Sequence, residues 1–271
     1  MVFIARPALR RLLRHSVVAM AAVAACNGAF AALSPFTLAP GAVGLAGTSF
    51  AGDNILVSDY STITFDGAGG FTDTGFLAVA SVQMGGTTFT PAGLNSTYGL
   101  YFAFTGTGTT TVANPALAPT FGSFSTLTYT LYGYNGLASF GFSGNTPTES
   151  ASGEVVLATG TLLNGSVGTL PSGNGVTFTP SANADMTFAV AAGQAGFFAA
   201  PSPFYNMAIT AFTNTTSEVE PFANGFRIRQ GGGSLNFAAP IPEPETYALM
   251  LAGLAAMAFV VRRRTRGTVA A

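Results

Sequence analysis

The sequence is poor in the side chains on which most enzymes rely. Its 271 residues include no lysine, no tryptophan, one histidine and one cysteine, and only 8% of them are charged. Both His15 and Cys26 lie within the first 31 residues. The rest of the chain therefore excludes a Ser-His-Asp triad, a Cys-His pair, a Schiff-base lysine and a zinc site built from histidine or cysteine.

The few charges are unevenly distributed along the chain. Eight of the ten arginines lie in the first 14 and the last ten residues. Between residues 32 and 241, two arginines stand against nine acidic residues, which gives a net charge of −7. Because nucleic-acid binding needs basic surface, this negative charge argues against a nucleic-acid partner. No Walker-type Gly-Lys-Ser/Thr occurs that would bind nucleotide phosphates.

Residues 1–31 have the order of a secretory signal peptide. Four arginines precede an apolar stretch over residues 16–25, and Ala29 and Ala31 are the small residues that a signal peptidase reads. The pattern predicts cleavage after Ala31. An alternative is lipidation of Cys26, because residues 23–26 (Val-Ala-Ala-Cys) resemble a lipobox.

Residues 32–241 are predicted to form one secreted β domain. Short runs alternate apolar and polar residues with the period of a strand, as in Phe226 and Ile228 against Arg227 and Arg229. Glycine- and asparagine-rich turns separate the runs, and no window keeps the apolar period of a helix for three turns. We therefore predict an all-β fold, an antiparallel β-sandwich or jelly roll with a core of phenylalanine and tyrosine.

Carboxylates are the remaining candidates for catalysis or metal binding in this domain. A pair drawn from Glu149, Glu154, Glu218 and Glu220 would be needed for glycoside hydrolysis, but their pattern is equally that of solvated surface charge. Asp66 and Asp73 flank a glycine-rich turn and could bind Ca²⁺ through hard oxygens, although turn formation explains them as well. We expect no catalytic residues and no other cofactor.

The C-terminal 30 residues contain three elements in a fixed order. Pro242, Glu243 and Pro244 come first, an apolar run over residues 247–261 follows, and Arg262, Arg263 and Arg264 end the run. Fifteen residues rise only about 22 Å as a helix, which is short for a membrane span. The arginines make the run a stop-transfer element that keeps the preceding chain outside the cytoplasm.

This order resembles the PEP-CTERM sorting signal of Gram-negative bacteria that secrete exopolysaccharide. The resemblance covers residues 242–267. It implies that an exosortase recognises Pro242, Glu243 and Pro244 and removes the tail after transient anchoring in the inner membrane. The alternative is a tail that stays as a permanent single-span anchor.

The secreted domain itself resembles the flocculation-associated PEP-CTERM exoproteins. The similar stretches are residues 34–38, 53–60, 71–76 and 90–101. The resemblance implies a non-enzymatic protein of the extracellular matrix or cell surface, which supports flocculation and biofilm formation together with exopolysaccharide. A glycan-binding lectin or a carbohydrate-active enzyme is the alternative from another functional class.

Overall fold

The computed structural model describes residues 33–111, 120–171, 178–213 and 218–238. The predicted signal peptide (residues 1–31), with Ala29, Ala31 and Cys26, lies outside these ranges. So does the predicted sorting signal (residues 242–267) with its helix over residues 247–261. No helix in the described ranges is both long and apolar enough to span a membrane.

Sixteen strands and one 3₁₀ turn at Pro40–Val43 make up the regular structure of the described residues. The strands are β1 (Phe36–Leu38), β2 (Phe50–Gly52), β3 (Asn54–Phe65), β4 (Gly70–Met84), β5 (Thr87–Phe89), β6 (Tyr98–Thr110), β7 (Thr120–Asn135), β8 (Phe140–Ser143), β9 (Thr146–Glu149), β10 (Val155–Pro171), β11 (Phe178–Thr187), β12 (Ala189–Val190), β13 (Phe198–Ala200), β14 (Met207–Thr213), β15 (Val219–Phe222) and β16 (Gly225–Ala238).

Eight of these strands form a closed barrel. The order of neighbours is β11-β14-β16-β3-β4-β6-β7-β10, and pairing of β10 with β11 closes the ring. Every pair in the ring is antiparallel. The predicted all-β, antiparallel fold is thus confirmed, but the predicted sandwich or jelly roll is wrong. Alternation shows which residues share a face, but it does not show that the first and last strands of a sheet pair with each other.

Alternation along each barrel strand fills the interior with apolar side chains. The main core includes Leu100 and Phe102 from β6, Leu131 from β7 and Leu157 from β10. Strand β1 pairs with β2 and β13 in a separate small sheet, and its Phe36 packs edge-on against Phe237 of β16 at 5.2 Å between ring centroids.

A second, smaller core is separated from the main core. It consists of Ile63, Phe71, Val219, Phe226 and Ile228. Strands β3 and β4 contribute to both cores, and the inward-facing residues between those contributions are polar or glycine: Asp59 and Ser61 on β3, Asp73 and Gly75 on β4. The barrel interior therefore contains polar residues where the two apolar cores meet.

The β8–β9 hairpin lies against the outside of the barrel. Its Phe140 contacts Tyr60 of β3 and Phe76 of β4, with ring centroids 5.8 and 6.2 Å apart. The Thr62 hydroxyl donates a hydrogen bond of 2.6 Å to the carbonyl oxygen of Asn145 in the hairpin turn. These contacts hold the hairpin over β3 and β4.

Candidate functional site

Two aspartates face the interior of the barrel. Asp59 lies on β3 and Asp73 on β4, and both line an internal cavity of about 100 Å³. The Asp59 side chain is deeply buried, since the residue is only 5% exposed. The rest of the lining is mainly aromatic and aliphatic, and includes Ile63, Leu77, Phe102, Phe104, Leu127 and Met186.

Strand pairing places the two aspartates at different levels of the barrel. Asp59 is opposite Leu77, and Asp73 is opposite Ile63. Four residues of β3 separate these levels, which corresponds to about 13 Å of extended strand. The backbones of the two aspartates therefore lie at different levels of the cavity wall, although the charge of Asp59 still acts on Asp73.

The level between them is occupied by Ser61 and Gly75, which are paired in register. A β-carbon at Gly75 would lie 2.7 Å from the Ser61 β-carbon and 2.4 Å from the carbonyl oxygen of Tyr60. Both distances are below van der Waals contact, so this position accepts only glycine without a backbone shift. Glycine at position 75 therefore allows β3 and β4 to pair closely beside Ser61.

Neither carboxyl group is paired with an arginine, and each has an oxygen atom without a hydrogen-bond partner by geometry among the described residues. Oδ1 of Asp59, Oδ1 of Asp73 and the Ser61 hydroxyl are enclosed and have no hydrogen-bond partner by geometric criteria among the described residues. Both arginines of the domain lie elsewhere, on β16, where Arg227 and Arg229 bind Glu220 at 2.5 and 3.0 Å.

Burial changes the acidity of both aspartates. Loss of hydration raises the pKa of Asp59 from 3.8 to about 7, and the nearby Ser61 hydroxyl offsets part of this effect. Loss of hydration also raises the pKa of Asp73 well above its usual value, and the negative charge of Asp59 adds to that increase. The interior therefore favours protonated carboxyl groups near neutral pH.

The outer face of the barrel carries a group of aromatic side chains that we call the outer aromatic cluster. Tyr101 of β6 is its centre and stacks on Tyr132 of β7, with ring centroids 5.1 Å apart and planes inclined by 19°. Phe76, Tyr134 and Phe140 also contact Tyr101, with centroids 5.4 to 6.0 Å away. Such pairs are typical of packed aromatic clusters.

Two of the candidate carboxylates border this cluster. The Tyr101 hydroxyl donates a hydrogen bond to Glu154, and Glu149 accepts a hydrogen bond from the backbone N–H of Ala151. Burial, the hydrogen bond to Glu154 and the charges of Glu149 and Glu154 all raise the pKa of Tyr101. Burial, followed by the charge of Glu149, also raises the pKa of Tyr134.

The structure separates the other two candidate glutamates from this pair. Glu220 lies on β15 and is bound by Arg227 and Arg229, and Glu218 precedes the same strand. Of the four candidate glutamates, Glu149 and Glu154 are therefore the two that lie near tyrosines.

Exposed threonines continue the outer face beyond the aromatic cluster. We call the surface formed by eight of them the hydroxyl face: Thr72, Thr74, Thr105, Thr107, Thr126, Thr128, Thr159 and Thr161. Strand register aligns seven of them in two cross-strand rows, Thr72-Thr107-Thr126 and Thr74-Thr105-Thr128-Thr161. Neighbouring strands are about 4.8 Å apart, so the hydroxyl groups repeat at near-regular intervals without an intervening charge.

The two aspartates predicted as calcium ligands have different environments. Asp66 lies in the β3–β4 turn, where its Oδ1 accepts hydrogen bonds from the backbone N–H groups of Ala68 and Gly70 at 2.7 and 2.9 Å. Asp73 faces the cavity. Across the described ranges, no cluster of three or more histidine, cysteine, aspartate or glutamate residues is placed to hold a metal ion. Calcium binding stays a prediction, with turn formation as the role that the geometry gives Asp66.

Sequence reasoning did not single out Asp59 as a site residue, although a signal for it exists. Asp59 and Ser61 continue the inward-facing alternation that begins with Ile55 and Val57 and resumes at Ile63. A charged residue at an inward position of a strand is unusual unless it has a partner or a function. That irregularity in the alternation marks the interior site.

Comparison with known proteins finds similarity in the C-terminal tail. The family model described as the PEP-CTERM protein-sorting motif matches residues 240–264. No curated protein and no solved structure matches the chain significantly.

The chain thus carries a PEP-CTERM sorting motif, as predicted, and this motif supports an exosortase-sorted protein and implies transit through the membrane and secretion or surface export. The roles predicted for Pro242, Glu243, Pro244 and Arg262–Arg264, and for Ala29 and Ala31, remain predictions at the level of single residues.

Proposed function

We propose that this protein is a non-enzymatic component of the extracellular matrix that supports cell aggregation by binding exopolysaccharide. Its sorting motif supports export to the compartment where such a polymer is found. The chemistry excluded by the sequence supports a binding role, because the exported domain has no histidine, cysteine or lysine.

The observation that carries the proposal is the hydroxyl face next to the outer aromatic cluster. Rows of threonine hydroxyl groups donate and accept hydrogen bonds, as sugar hydroxyl groups do. Thr107 and Thr126 already bond to each other at 2.8 Å, so paired hydroxyl groups are available along the surface. Many such contacts, each weak and partly bridged by water, give useful avidity for a repeating polymer.

The partner that fits this surface is a polysaccharide with little charge. The two threonine rows contain no ionic group, and the domain as a whole carries a net charge of −7 between residues 32 and 241. A strongly anionic polymer would be repelled by that charge. A neutral chain loses little hydration on meeting uncharged hydroxyl groups and stacks on partly exposed aromatic rings such as Tyr132.

Replacement of paired threonines tests this interaction. Thr107→Val with Thr126→Val removes two hydroxyl groups and preserves side-chain shape, so retention of the protein on purified exopolysaccharide should fall. Thr146→Val with Thr148→Val on the exposed positions of β9 is the matched control and should leave retention unchanged. Equal retention of both double variants would count against the hydroxyl face as the binding surface.

The aggregation role has a separate test in cells. Deletion of the gene should disperse flocs while secretion of the polysaccharide continues, and expression of the intact protein should restore them. Normal flocs in the deletion strain would refute the role even if the purified protein binds polysaccharide.

A carbohydrate-active enzyme is the second candidate, because Glu149 and Glu154 lie beside the same tyrosines. Hydrolysis of the polysaccharide that disappears in both Glu149→Gln and Glu154→Gln would favour this candidate over the matrix protein. Binding without any release of reducing ends would favour the matrix protein.

The fate of the tail decides between secretion and permanent anchoring. Mass spectrometry of the mature C-terminus should show a chain that ends near Pro242, without the apolar run. A mature protein that retains Arg262–Arg264 would instead be a permanently anchored surface protein.

A further inference from the structure

We propose that the barrel interior is a binding site for a small protonated aliphatic amine. The site is the cavity between the two apolar cores, with Asp59 and Asp73 as its polar groups and hydrocarbon side chains as most of its wall. This inference does not depend on the hydroxyl face or on polysaccharide binding.

The first argument is the incomplete compensation of the Asp59 carboxyl group. The residue is only 5% exposed and lines the cavity, and its Oδ1 has no hydrogen-bond partner by geometry among the described residues, although the Ser61 hydroxyl lies nearby. An enclosed carboxyl oxygen of this kind costs free energy unless a donor or a cation reaches it. Arg227 and Arg229 do not neutralise this carboxyl group, because they bind Glu220 on the outside of the barrel.

The second argument is the chemistry of the wall. The N–H groups of an alkylammonium ion can donate hydrogen bonds to a carboxylate. Its carbon chain can pack against Leu77 and Phe102, so the apolar lining also gains contacts. Aromatic rings such as those of Phe102 and Phe104 also attract cations through their faces. A calcium ion, in contrast, needs six to eight oxygen ligands, which this lining does not provide.

The third argument is size. A cavity of about 150 Å³ is known to hold a benzene molecule, so the cavity of about 100 Å³ suits a chain of roughly four carbons. Two acidic groups oppose the entry of an anion. Near neutral pH, binding of the ammonium group should release protons from the carboxyl groups to the buffer, because the ion pair favours the charged carboxylates.

Isothermal titration calorimetry of the purified full-length chain with butylammonium chloride at pH 7 tests the proposal. We expect saturable binding, with an apparent enthalpy that differs between buffers of different ionisation enthalpy by the number of protons released. Under the same conditions, 1-butanol and calcium chloride should bind much more weakly.

Two variants localise the binding. Asp59→Asn removes the charge at constant shape and should weaken affinity for butylammonium at least about tenfold. Ala182→Leu enlarges an apolar side chain that lines the cavity, so it fills part of the cavity volume and should also weaken binding. Asp66→Asn, in the turn outside the cavity, is the control and should bind like the parent chain, and the circular dichroism of each variant verifies that it is folded.

Several outcomes would overturn the proposal. These are no saturable binding of butylammonium, equal affinity for 1-butanol, tighter binding of calcium, or unchanged affinity in folded Asp59→Asn. Unchanged affinity in Ala182→Leu would place any bound amine outside the cavity and refute the site.

Discussion

Replacing Asp59 with asparagine removes an ionisable group from the barrel interior while preserving its size and shape. Burial raises the pKa of Asp59 from 3.8 to about 7 in the folded chain. Between these pH values the folded state retains a proton that the unfolded state has released. The contribution of Asp59 to stability is therefore fully present below pH 3.8 and is lost as pH rises through about 7, and little further loss occurs above about pH 8.

The magnitude follows from the size of the pKa difference. One pKa unit corresponds to about 1.4 kcal/mol, so a difference of about three units lowers the free energy of unfolding by about 4 kcal/mol between pH 4 and pH 7. Asp73 acts in the same direction, because its pKa is raised as well. The remaining titratable group in the lining, Tyr129, also has a pKa raised by burial and stays protonated throughout this range.

Urea unfolding at pH 4.5, 6, 7 and 8 measures the effect. The parent chain should lose stability steadily up to pH 7, whereas Asp59→Asn should lose much less and should be the more stable protein at pH 8. Asp185→Asn on β11, whose side chain accepts a hydrogen bond from Asn164 outside the cavity, should follow the parent profile. Parallel profiles for the parent and Asp59→Asn, or a less stable Asp59→Asn at pH 8, would refute the reasoning.

Three further substitutions test the packing that surrounds these sites. Gly75→Ala forces a β-carbon to within 2.7 Å of Ser61 and should lower the free energy of unfolding by about 1–3 kcal/mol in urea titrations, so an unchanged midpoint would contradict the close approach. Leu157→Ala empties a fully buried position and should cost about 2–5 kcal/mol by the same assay, and a cost below 1 kcal/mol would place Leu157 outside the core. Tyr101→Phe should cost roughly 1–3 kcal/mol through loss of the hydrogen bond to Glu154. A double-mutant cycle with Glu154→Gln should show coupling, and additive costs would mean that the bond contributes nothing.

Alternation in the sequence predicted the inward faces of several strands correctly. Phe226 and Ile228 of β16 are 2% and 4% exposed and lie inside, with Arg227 on the outer face. Tyr98 and Phe102 of β6 are likewise buried in the main core. These faces were predictable because large apolar residues alternate with polar ones, and burial of the former is strongly favourable.

Strand β14 behaves in the opposite way. Its bulky residues Met207 and Ile209 share a face, as the alternation indicates, but Ile209 is 40% exposed and Ala208 is fully buried. The reason lies in the neighbours, because Ala208 pairs with Met186 on one side and with Phe237 on the other. Those two large side chains fill the interior at this level and leave room only for a small one.

The outer face could be predicted only in its composition. Threonine-rich runs were visible in the sequence, yet the alignment of Thr74, Thr105, Thr128 and Thr161 in one row depends on the register of three strand pairs. The same applies to the glutamates near Tyr101, since Glu154 accepts its hydroxyl hydrogen bond and Glu149 lies close enough for its charge to act on it. The β8–β9 hairpin, which ends at Glu149, lies back over the barrel with Phe140 against Tyr101. Contacts between distant residues fix both arrangements.

The sequence by itself determined the sorting tail, the absence of histidine, cysteine and lysine from residues 32–241, and the antiparallel β class. Each of these follows from residue identity or from local alternation, which need no knowledge of distant contacts. Closure of the barrel, the burial of Asp59 in its interior and the rows of the hydroxyl face were decided by the tertiary structure. Strand β3 pairs with β16 some 180 residues later in the chain, with Ile55 opposite Leu235, and such pairings are selected by the packing of the whole barrel.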